Sequence, residues 1–482
     1  MKNIFLFLLL LVAFSQAENI GGSVGIKINA GVWGAPTAGV FAVDTIEKFG
    51  GNDWMALRVP LQTGRYFETL PAFFVLSLGA NYKEDFLIHA EFPLRRDIEA
   101  WHKDPYKRVY TLDPSELDLN VPTEAWGQWN NPAGFVKFGR FKPEIAPTPN
   151  SIVLGGAPHH DAIHWKFAAG IARYDFLIVS LNAWLSESEK EEQKTVTIPN
   201  ARNRTYTEPT KNLLLHKVGI EGRFGYISII EQSLVGGKYL DFRDVSPFMA
   251  WHNNFNYGYT KMSTTLEAGL RPAKNSEFYW QFAMEDIESP VGETLGDKGY
   301  TTLAFLAGYK QKVPLGIYGD IESRIDAVNT DPHFNNNKVP LQKMTSRKIY
   351  SSNFRKQEEP YFADMYIVDY PLGYRRGPDA LDFWWNLKYT SANKKINAEL
   401  ESAYLRQGDC EVYEDHDDCS KREKSSKIEE RLFLMDFTVG VENFQPLRIY
   451  AGAGFQNAKN KDNISGNDRN DKWVKAGVSI SL

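Results

Sequence analysis

Apolar and polar side chains alternate with a period of two residues at both ends of this chain. The alternation runs from Ile20 to Val32 near the N-terminus and from Val474 to Leu482 at the C-terminus. A β-strand with this period turns one face toward an apolar environment and the other toward a polar one. Beyond residue 17 no run of eighteen apolar residues occurs, so the sequence predicts no membrane-spanning helix. The apolar strand faces therefore contact either a protein core or lipid.

The connections between the predicted strands alternate between short and long, which favours lipid. Short turns are predicted at 83–85, 223–225, 272–276, 311–314, 393–395 and 443–446. Long polar connections are predicted at 186–212, 234–258, 286–299, 326–382, 407–429 and 457–471. Transmembrane barrels sort their loops in this way, whereas a soluble sandwich has no reason to do so. We therefore predict an all-β fold, a closed antiparallel transmembrane β-barrel with long extracellular loops and short periplasmic turns.

The number of strands fixes the size of this barrel. Six strands are predicted near 22–33, 72–82, 86–95, 123–130, 134–142 and 159–168, and twelve more from residue 174 onward. We therefore predict 16 to 18 strands, with both termini at the periplasmic rim and an aqueous lumen. Closure also gives every backbone amide a partner in lipid. Aromatic residues near the strand ends are predicted to form the interfacial girdles: Trp280, Phe282, Trp384, Trp385 and Tyr389.

The N-terminal segment has the three parts of a secretory signal peptide. Lys2 supplies the positive charge, residues 4–14 form an apolar run, and residues 15–17 form a small-x-small cleavage site. We predict that residues 1–17 are removed and that residues 18–482 form a barrel in the bacterial outer membrane. The apolar Leu482 that closes an alternating strand is typical of a signal for outer-membrane insertion. Outer-membrane lipid and the barrel-assembly machinery are therefore predicted partners.

Two cysteines lie nine positions apart in an acidic stretch of the chain. In an oxidising compartment, a disulfide between Cys410 and Cys419 that pins this loop is the expected use. Zinc binding by these cysteines with His416 is the alternative, but no other ligand pair stands nearby at zinc spacing. The net charge of −5 argues against a nucleic-acid-binding protein, which carries a basic face.

The sequence offers no catalytic constellation. His160 and His164 fall on one face of a strand, and His159 and Asp161 fall on the other, so a lumen or rim role is favoured over a metal site. The acidic run 414–418 lacks the glycine and the terminal glutamate of a calcium loop. The hydrolase, phosphate-binding and zinc-protease motifs are absent from the sequence. We predict no enzyme activity, no cofactor and no metal.

The central part of the chain resembles the outer-membrane capsule-assembly proteins of the Wzi type. The segments that carry the resemblance are 216–219, 228–237, 241–247, 252–254, 279–282, 285–286, 319–322, 370–373 and 377–379. The front third, with Glu124 to Gly127 and Val136 to Phe141, is porin-like instead. The resemblance implies a monomeric barrel that helps to assemble or attach capsular or other surface polysaccharide by non-catalytic binding.

The connection 326–382 is the candidate site for such binding, because it is long and rich in aromatic residues and is expected to fold over or into the lumen. Aromatic faces stack on sugar rings, and forked polar groups meet hydroxyls. The candidate polysaccharide-binding residues are Tyr370, Tyr374, Arg375, Arg376 and Asp379. The alternative is that the two arginines pair with lumen carboxylates such as Glu322 and Asp326.

Three functions remain open on the sequence. A polysaccharide-binding assembly protein predicts an occluded lumen. A porin or substrate-specific diffusion channel predicts conductance. A barrel that only anchors the surface layer predicts neither conductance nor glycan affinity.

Overall fold

The computed structural model describes residues 20–36, 45–49, 54–83, 85–102, 107–118, 122–156, 158–195, 209–242, 244–247, 259–285, 302–337, 339–351, 365–410, 428–444 and 446–482. The predicted signal peptide lies outside these residues and stays a prediction. The barrel strands are β1 (Ile20–Trp33), β2 (Phe74–Tyr82), β3 (Phe86–Leu94), β4 (Glu124–Asn131), β5 (Gly134–Phe141), β6 (His160–Ala169), β7 (Ala172–Leu181), β8 (Lys211–Gly222), β9 (Gly225–Gly236), β10 (Thr260–Ala273), β11 (Ser276–Met284), β12 (Leu303–Pro314), β13 (Asp320–Thr330), β14 (Ala380–Thr390), β15 (Ile396–Gln407), β16 (Glu430–Phe444), β17 (Leu447–Lys459) and β18 (Arg469–Ser481).

These strands form a closed antiparallel barrel. Each strand pairs with the next in chain order, and β18 pairs with β1 so that Ser481 lies opposite Lys27 and Lys475 opposite Trp33. The closed ring leaves no unpaired edge, as the bilayer interior requires. The predicted fold class and the strand number of 18 are confirmed.

The connections sort to the two rims as the sequence predicts. Every second connection is a turn of two to five residues, such as the pair Arg223–Phe224 between β8 and β9. The other connections hold nine or more residues, and the longest, between β13 and β14, spans 331–379. Both described ends of the chain lie at the rim with the short turns. We name this end the short-turn rim and the opposite end the loop rim.

The outer face of the barrel is apolar. In β18, Val474 and Val478 are exposed whereas Asp471 and Lys475 are buried, so the apolar alternation points outward. The same outward exposure recurs around the ring at Val24, Ile88, Phe138, Ile163, Ile227, Phe305, Ile325, Phe383, Phe437 and Ile449. This belt is the surface that lipid covers in a transmembrane barrel.

One predicted girdle residue faces the other way. Trp280, Phe282 and Trp385 are exposed on the outer face, but Trp384 is only 6% exposed. Trp384 lies opposite Asp326 in the β13–β14 pairing and therefore points inward with that carboxylate. Two consecutive tryptophans cannot both face lipid, because successive side chains of a strand point to opposite faces.

The inner face differs between the two halves of the barrel. Toward the short-turn rim it carries partly exposed ion pairs, among them Lys310–Glu322 at 3.3 Å and Lys388–Glu399 at 3.2 Å. Toward the loop rim it is buried: Leu177, Leu213, Leu215, Ile230 and Leu306 all point inward and are fully covered, beside buried polar side chains such as Asp326 and Gln281. The aqueous lumen expected from the strand number is therefore confined to the short-turn half.

Two sets of elements from the long connections pack within the loop-rim half. An inner sheet joins Thr345–Ser351, Met365–Pro371, Trp54–Arg58 and Thr45–Phe49 in that order, with the two middle strands parallel. Helices α1 (Leu61–Thr69), α2 (Ile98–His102) and α3 (Glu187–Thr195) accompany this sheet. Among the described residues, each helix is too short and too polar to cross a bilayer.

Helix α3 begins with a capping box. The backbone N–H of Glu189 donates to Ser186 Oγ at 3.2 Å, and the N–H of Ser186 donates to Glu189 Oε2 at 2.8 Å. This reciprocal pair satisfies two donors of the first helical turn. Lys190 pairs with Glu187 and Lys194 with Glu191 along the exposed face.

Candidate functional site

The segment 142–156, which joins β5 to β6, crosses the loop-rim half of the lumen and is bonded to barrel strands. Asp326 of β13 accepts hydrogen bonds from Asn150 Nδ2 at 2.7 Å, from Thr148 Oγ1 at 2.5 Å and from Tyr279 Oη at 2.5 Å. Three donors converge on one buried carboxylate, so Asp326 is satisfied without any arginine.

A second set of bonds continues this crossing to neighbouring strands. Gln281 of β11 accepts from Ser151 Oγ at 2.9 Å and from the N–H of Ile152 at 3.1 Å. Its amide nitrogen donates to Glu267 of β10 at 2.7 Å, and Lys217 Nζ of β8 donates to the same carboxylate at 2.6 Å. Polar side chains of β8, β10 and β11 therefore hold the segment 142–156 across the loop-rim half of the lumen.

The connection 331–379 is held against β8 and β9. Lys211 Nζ of β8 donates to the backbone oxygen of Lys343 at 2.8 Å and to Thr345 Oγ1 at 3.1 Å. Gln232 of β9 donates to the backbone oxygen of Leu372 at 3.4 Å. Apolar side chains of both crossing segments join the inward leucines in one core: Ile145, Ile152, Val153, Leu154, Phe334, Met344, Leu372 and Tyr374. The described residues thus fill the lumen at the loop rim.

The two tyrosines predicted to bind polysaccharide are covered. Tyr370 is 2% exposed and Tyr374 is fully buried. The hydroxyl of Tyr374 donates to Asp382 of β14, and the hydroxyl of Tyr370 lies 3.2 Å from that of Tyr350. Burial raises the pKa of both phenols, and the Asp382 carboxylate raises that of Tyr374 further. A sugar ring cannot stack on either tyrosine in this structure.

The predicted arginines pair with neighbouring carboxylates rather than with those expected. Arg376 Nε lies 3.3 Å from Asp382 Oδ2, and Arg375 Nη2 lies 3.9 Å from Glu401 Oε1. The Arg375 guanidinium also stands 5.6 Å from the ring centre of the inward Trp384. Glu322 instead pairs with Lys310. The prediction that Tyr370, Tyr374, Arg375, Arg376 and Asp379 bind polysaccharide stays a prediction.

Arg65 of α1 joins this group, although no sequence motif marks it as a site residue. Its Nη2 donates to the backbone oxygen of Arg375, a residue 310 positions away. Burial, and then the charge of Arg375, lower the pKa of Arg65 to about 9. This contact between Arg65 and residue 375 is a property of the tertiary fold, because no local pattern links α1 to residue 375.

Asp379 is the last of the five predicted residues, and it lies beside Cys410. Its φ is +54°, in the left-handed region, and its backbone N–H donates to the oxygen of Asp331 at 3.1 Å. The ligand atoms of Asp379, Asp409 and Cys410 lie within 4.8 Å of one another. Cys419 lies outside the described residues, so the predicted disulfide stays a prediction, and the same holds for residues 414–418.

A buried square of charges anchors the inner sheet. Arg347 Nε and Nη2 donate to the two oxygens of Asp369 at 2.8 and 2.9 Å, and its Nη2 and Nη1 donate to those of Glu189 at 2.7 Å each. Arg58 Nη2 donates to Glu189 at 3.2 Å, and Arg58 Nη1 donates to Asp369. Burial alone would raise the pKa of Glu189, but the bonds and charge of Arg347, with the charge of Arg58, hold it at about 2. Two cations and two carboxylates thus neutralise each other and lock α3 to the sheet.

Next to this square the loop rim opens into a cleft of about 390 Å³, which we name the rim cleft. It lies between the ends of β5, β6 and β7 and the inner strand 345–351. Side chains that line it include Thr123, Arg140, His160, Asn182, Lys348 and Tyr350. Its volume falls in the range of small-molecule binding sites.

The histidines predicted to flank a strand contribute to this region. His160 and His164 are both buried on the inner face of β6, and His164 Nε2 lies 2.9 Å from Asp175. His159 Nε2 lies 3.0 Å from Glu124, and Asp161 pairs with Arg140 on the outer face at 2.7 Å. His159, Asp161 and His164 thus have separate partners, and the four side chains do not converge on one point.

Several aromatic residues of the loop rim are exposed. Trp184 is 47% exposed, Tyr239 66% and Phe242 92%. The backbone N–H of Trp184 donates to Asn182 Oδ1 at 2.8 Å, which places this tryptophan beside the rim cleft. These residues were not predicted as binding residues, because they lie outside the longest and most aromatic connection.

The closed ring, its apolar belt and its loop sorting define a transmembrane β-barrel of the bacterial outer-membrane type. Among solved structures, the fold is similar to Wzi of Escherichia coli, described as an outer-membrane protein involved in group 1 capsule assembly and as a carbohydrate-binding β-barrel. That similarity has a TM-score of 0.52 and 13% identity, and it covers 100% of this chain and 88% of Wzi. At this identity the similarity concerns the fold alone, and at that level it confirms the resemblance found in the sequence.

Two further solved structures give weaker matches. OccK5 of Pseudomonas aeruginosa has a TM-score of 0.43 and 10% identity over 96% of this chain and 98% of its own. The outer-membrane channel DcaP of Acinetobacter baumannii has a TM-score of 0.39 and 11% identity over the same shares of the two chains. No family model matches the chain, and no curated protein matches it significantly.

Proposed function

We propose that this protein is an outer-membrane barrel that binds surface polysaccharide without catalysis and assists its assembly or attachment. The observation that carries the proposal is the packed core at the loop rim, where crossing segments replace water in the lumen. The fold similarity to Wzi, described as a carbohydrate-binding β-barrel, supports the same function.

The energetics of the core disfavour a diffusion channel. Leu177, Leu213, Leu215, Ile230 and Leu234 are all fully buried in the core that closes the lumen. Exposing one such side chain to water costs about 1.5–3 kcal/mol. Opening a pore through all five would cost on the order of 10 kcal/mol, and the buried hydrogen bonds to Asp326 and Gln281 would also be lost. Thermal fluctuation does not populate such an opening to a useful extent.

The loop-rim surface supports contact with a polymer outside the cell. Its exposed aromatic rings offer faces for sugar rings, and its ion pairs and amides offer donors and acceptors for hydroxyls. The chain would reach this location through the predicted signal peptide and the barrel-assembly machinery, and it would act there as a monomer among outer-membrane lipids.

Planar-bilayer recording and glycan binding test the proposal together. The purified barrel is expected to give no steady open-channel current and to bind polysaccharide extracted from the cells that produce it. Steady conductance with no glycan affinity would favour a porin instead. Unchanged cell-bound polysaccharide after deletion of the gene would contradict the assembly role independently.

A further inference from the structure

The rim cleft contains buried polar groups that the fold leaves unused. His160 is 5% exposed, and its Nε2 has no hydrogen-bond partner. Its other ring nitrogen lies 3.5 Å from Ser346 Oγ, at the limit of hydrogen bonding. The buried hydroxyl of Thr123, in the same lining, also lacks a partner. Buried polar atoms normally find a partner, so two such atoms in one cleft indicate a ligand that supplies the missing bonds.

The charges of the lining select the kind of ligand. Four cationic side chains line the cleft, Arg95, Arg140, Arg347 and Lys348, against a single carboxylate, Asp161. Other carboxylates that pair with these cations, such as Glu68 at 3.0 Å from Lys348, are not part of the lining. Arg95 pairs with Asp118, Arg140 with Asp161 on the outer face, and Arg347 with Asp369 and Glu189. Of the three cations that do not face outward, Lys348 is the most exposed, at 23% of its side chain, so it is the group that a ligand carboxylate can reach.

An aromatic platform stands at the edge of the cleft. Trp184 is half exposed, and its position is fixed by the bond from its N–H to Asn182 and by the bond from Arg347 Nη1 to its backbone oxygen at 2.6 Å. These bonds fix the backbone of Trp184, and its half-exposed indole beside a polar cleft is suited to stack on the apolar face of a sugar ring. Cations, orphaned polar groups and an aromatic face thus meet in one place.

We propose that the rim cleft, with Trp184 at its edge, is the subsite at which this protein holds an acidic sugar unit of the polymer. This proposal rests on the proposed function and adds its location and ligand class. The uronate carboxylate meets Lys348, the ring hydroxyls meet His160 and Thr123, and the ring stacks on Trp184.

Binding of galacturonic acid oligosaccharides to the full-length barrel in nanodiscs tests the subsite, with malto-oligosaccharides as the neutral comparison. Wild type is expected to bind the galacturonate chain more tightly than the neutral chain, and its Kd is expected to rise with salt. Trp184→Ala is expected to raise the Kd about 5-fold. Lys348→Gln is expected to raise it roughly 10-fold and to flatten the salt dependence. Phe224→Ala, which removes an exposed aromatic from a turn of the short-turn rim at the opposite end of the barrel, is the control and is expected to leave the Kd unchanged.

Each of the following results would contradict a different part of the proposal. If wild type binds and both cleft variants keep its Kd, the subsite lies elsewhere and the proposed function stands. If neutral and acidic chains bind equally well and Lys348→Gln has no effect, the acidic ligand class is wrong. If wild type binds neither these chains nor extracted surface polysaccharide, the proposed function fails, and the subsite with it. Native electrophoretic mobility of the folded barrel shows that loss of binding in a variant is not loss of fold.

Discussion

Replacing Glu189 by Gln is expected to loosen the inner sheet from the rest of the barrel. The substitution keeps the shape of the side chain but removes one of two carboxylates in the buried charge square. Two bonds from Arg347 and one from Arg58 then lose their charged acceptor. Asp369 is then the one carboxylate of the square left to balance Arg347 and Arg58. Removing one partner of a buried ion pair is strongly destabilising, by about 3–5 kcal/mol.

The pKa of Glu189 gives an independent magnitude. Its lowering from 4.5 to about 2 corresponds to about 3 kcal/mol of stabilisation at neutral pH. This value agrees with the cost of about 3–5 kcal/mol expected from removing one partner of a buried ion pair. If this energy holds the inner sheet in place, Glu189→Gln is expected to speed amide hydrogen exchange in residues 345–351 and 365–371 by roughly 100-fold.

Hydrogen–deuterium exchange of the barrel in nanodiscs measures this effect. Glu191→Gln is the matched control, because it makes the same substitution on the same helix in an ion pair whose two side chains are about two-thirds exposed. Such a surface pair contributes less than about 1 kcal/mol, so the control is expected to exchange almost as wild type does. Equal rates in wild type and Glu189→Gln, or equal acceleration in both variants, would refute the assigned role of the charge square.

Three further outcomes are expected. Because the folded-state pKa of Glu189 is lowered, the stabilisation that this carboxylate contributes is complete above pH 4.5 and is lost as the pH falls toward 2. Amide exchange of residues 345–351 should therefore accelerate over that pH range in wild type and much less in Glu189→Gln. Leu213→Ala truncates a fully buried side chain of the lumen core and should cost about 2–5 kcal/mol, read from urea unfolding in liposomes; a cost below 1 kcal/mol would contradict a packed core. Val474→Arg places a charge on the outward face in the middle of β18 and should cost about 2–4 kcal/mol in the same assay, and a neutral result would contradict the lipid-facing assignment.

The barrel could be predicted from the sequence because each signal for it depends on residues that are close together in the chain. A strand predicted near 86–95 is observed at Phe86–Leu94, and the turn predicted at 83–85 joins it to β2. A polar residue between two apolar ones marks which face meets lipid, and a few turn residues mark the rim. These signals depend on neighbours in the chain and on the surrounding solvent alone.

The two-residue alternation of apolar and polar side chains is uninformative where both faces of a strand are buried. Leu213, Leu214 and Leu215 follow one another in β8, and all three are buried. No two-residue period distinguishes lipid from a filled lumen in such a run. The prediction that Trp384 is a girdle residue was wrong for a related reason. Tryptophan is the residue type expected in the girdle, but the register of the strand turns this side chain inward.

The strand number, the orientation of the apolar faces and the assignment of connections to rims could be read from the order of residues, because neighbouring residues decide each of them. The filled loop-rim half of the lumen, the charge square and the rim cleft could not be predicted from the order of residues. Arg58 and Asp369 are 311 positions apart, and Asp326 and Thr148 are 178 apart. Such pairs form only after the long connections have folded over one another inside the ring, and that packing decides which groups are buried and which remain for a ligand.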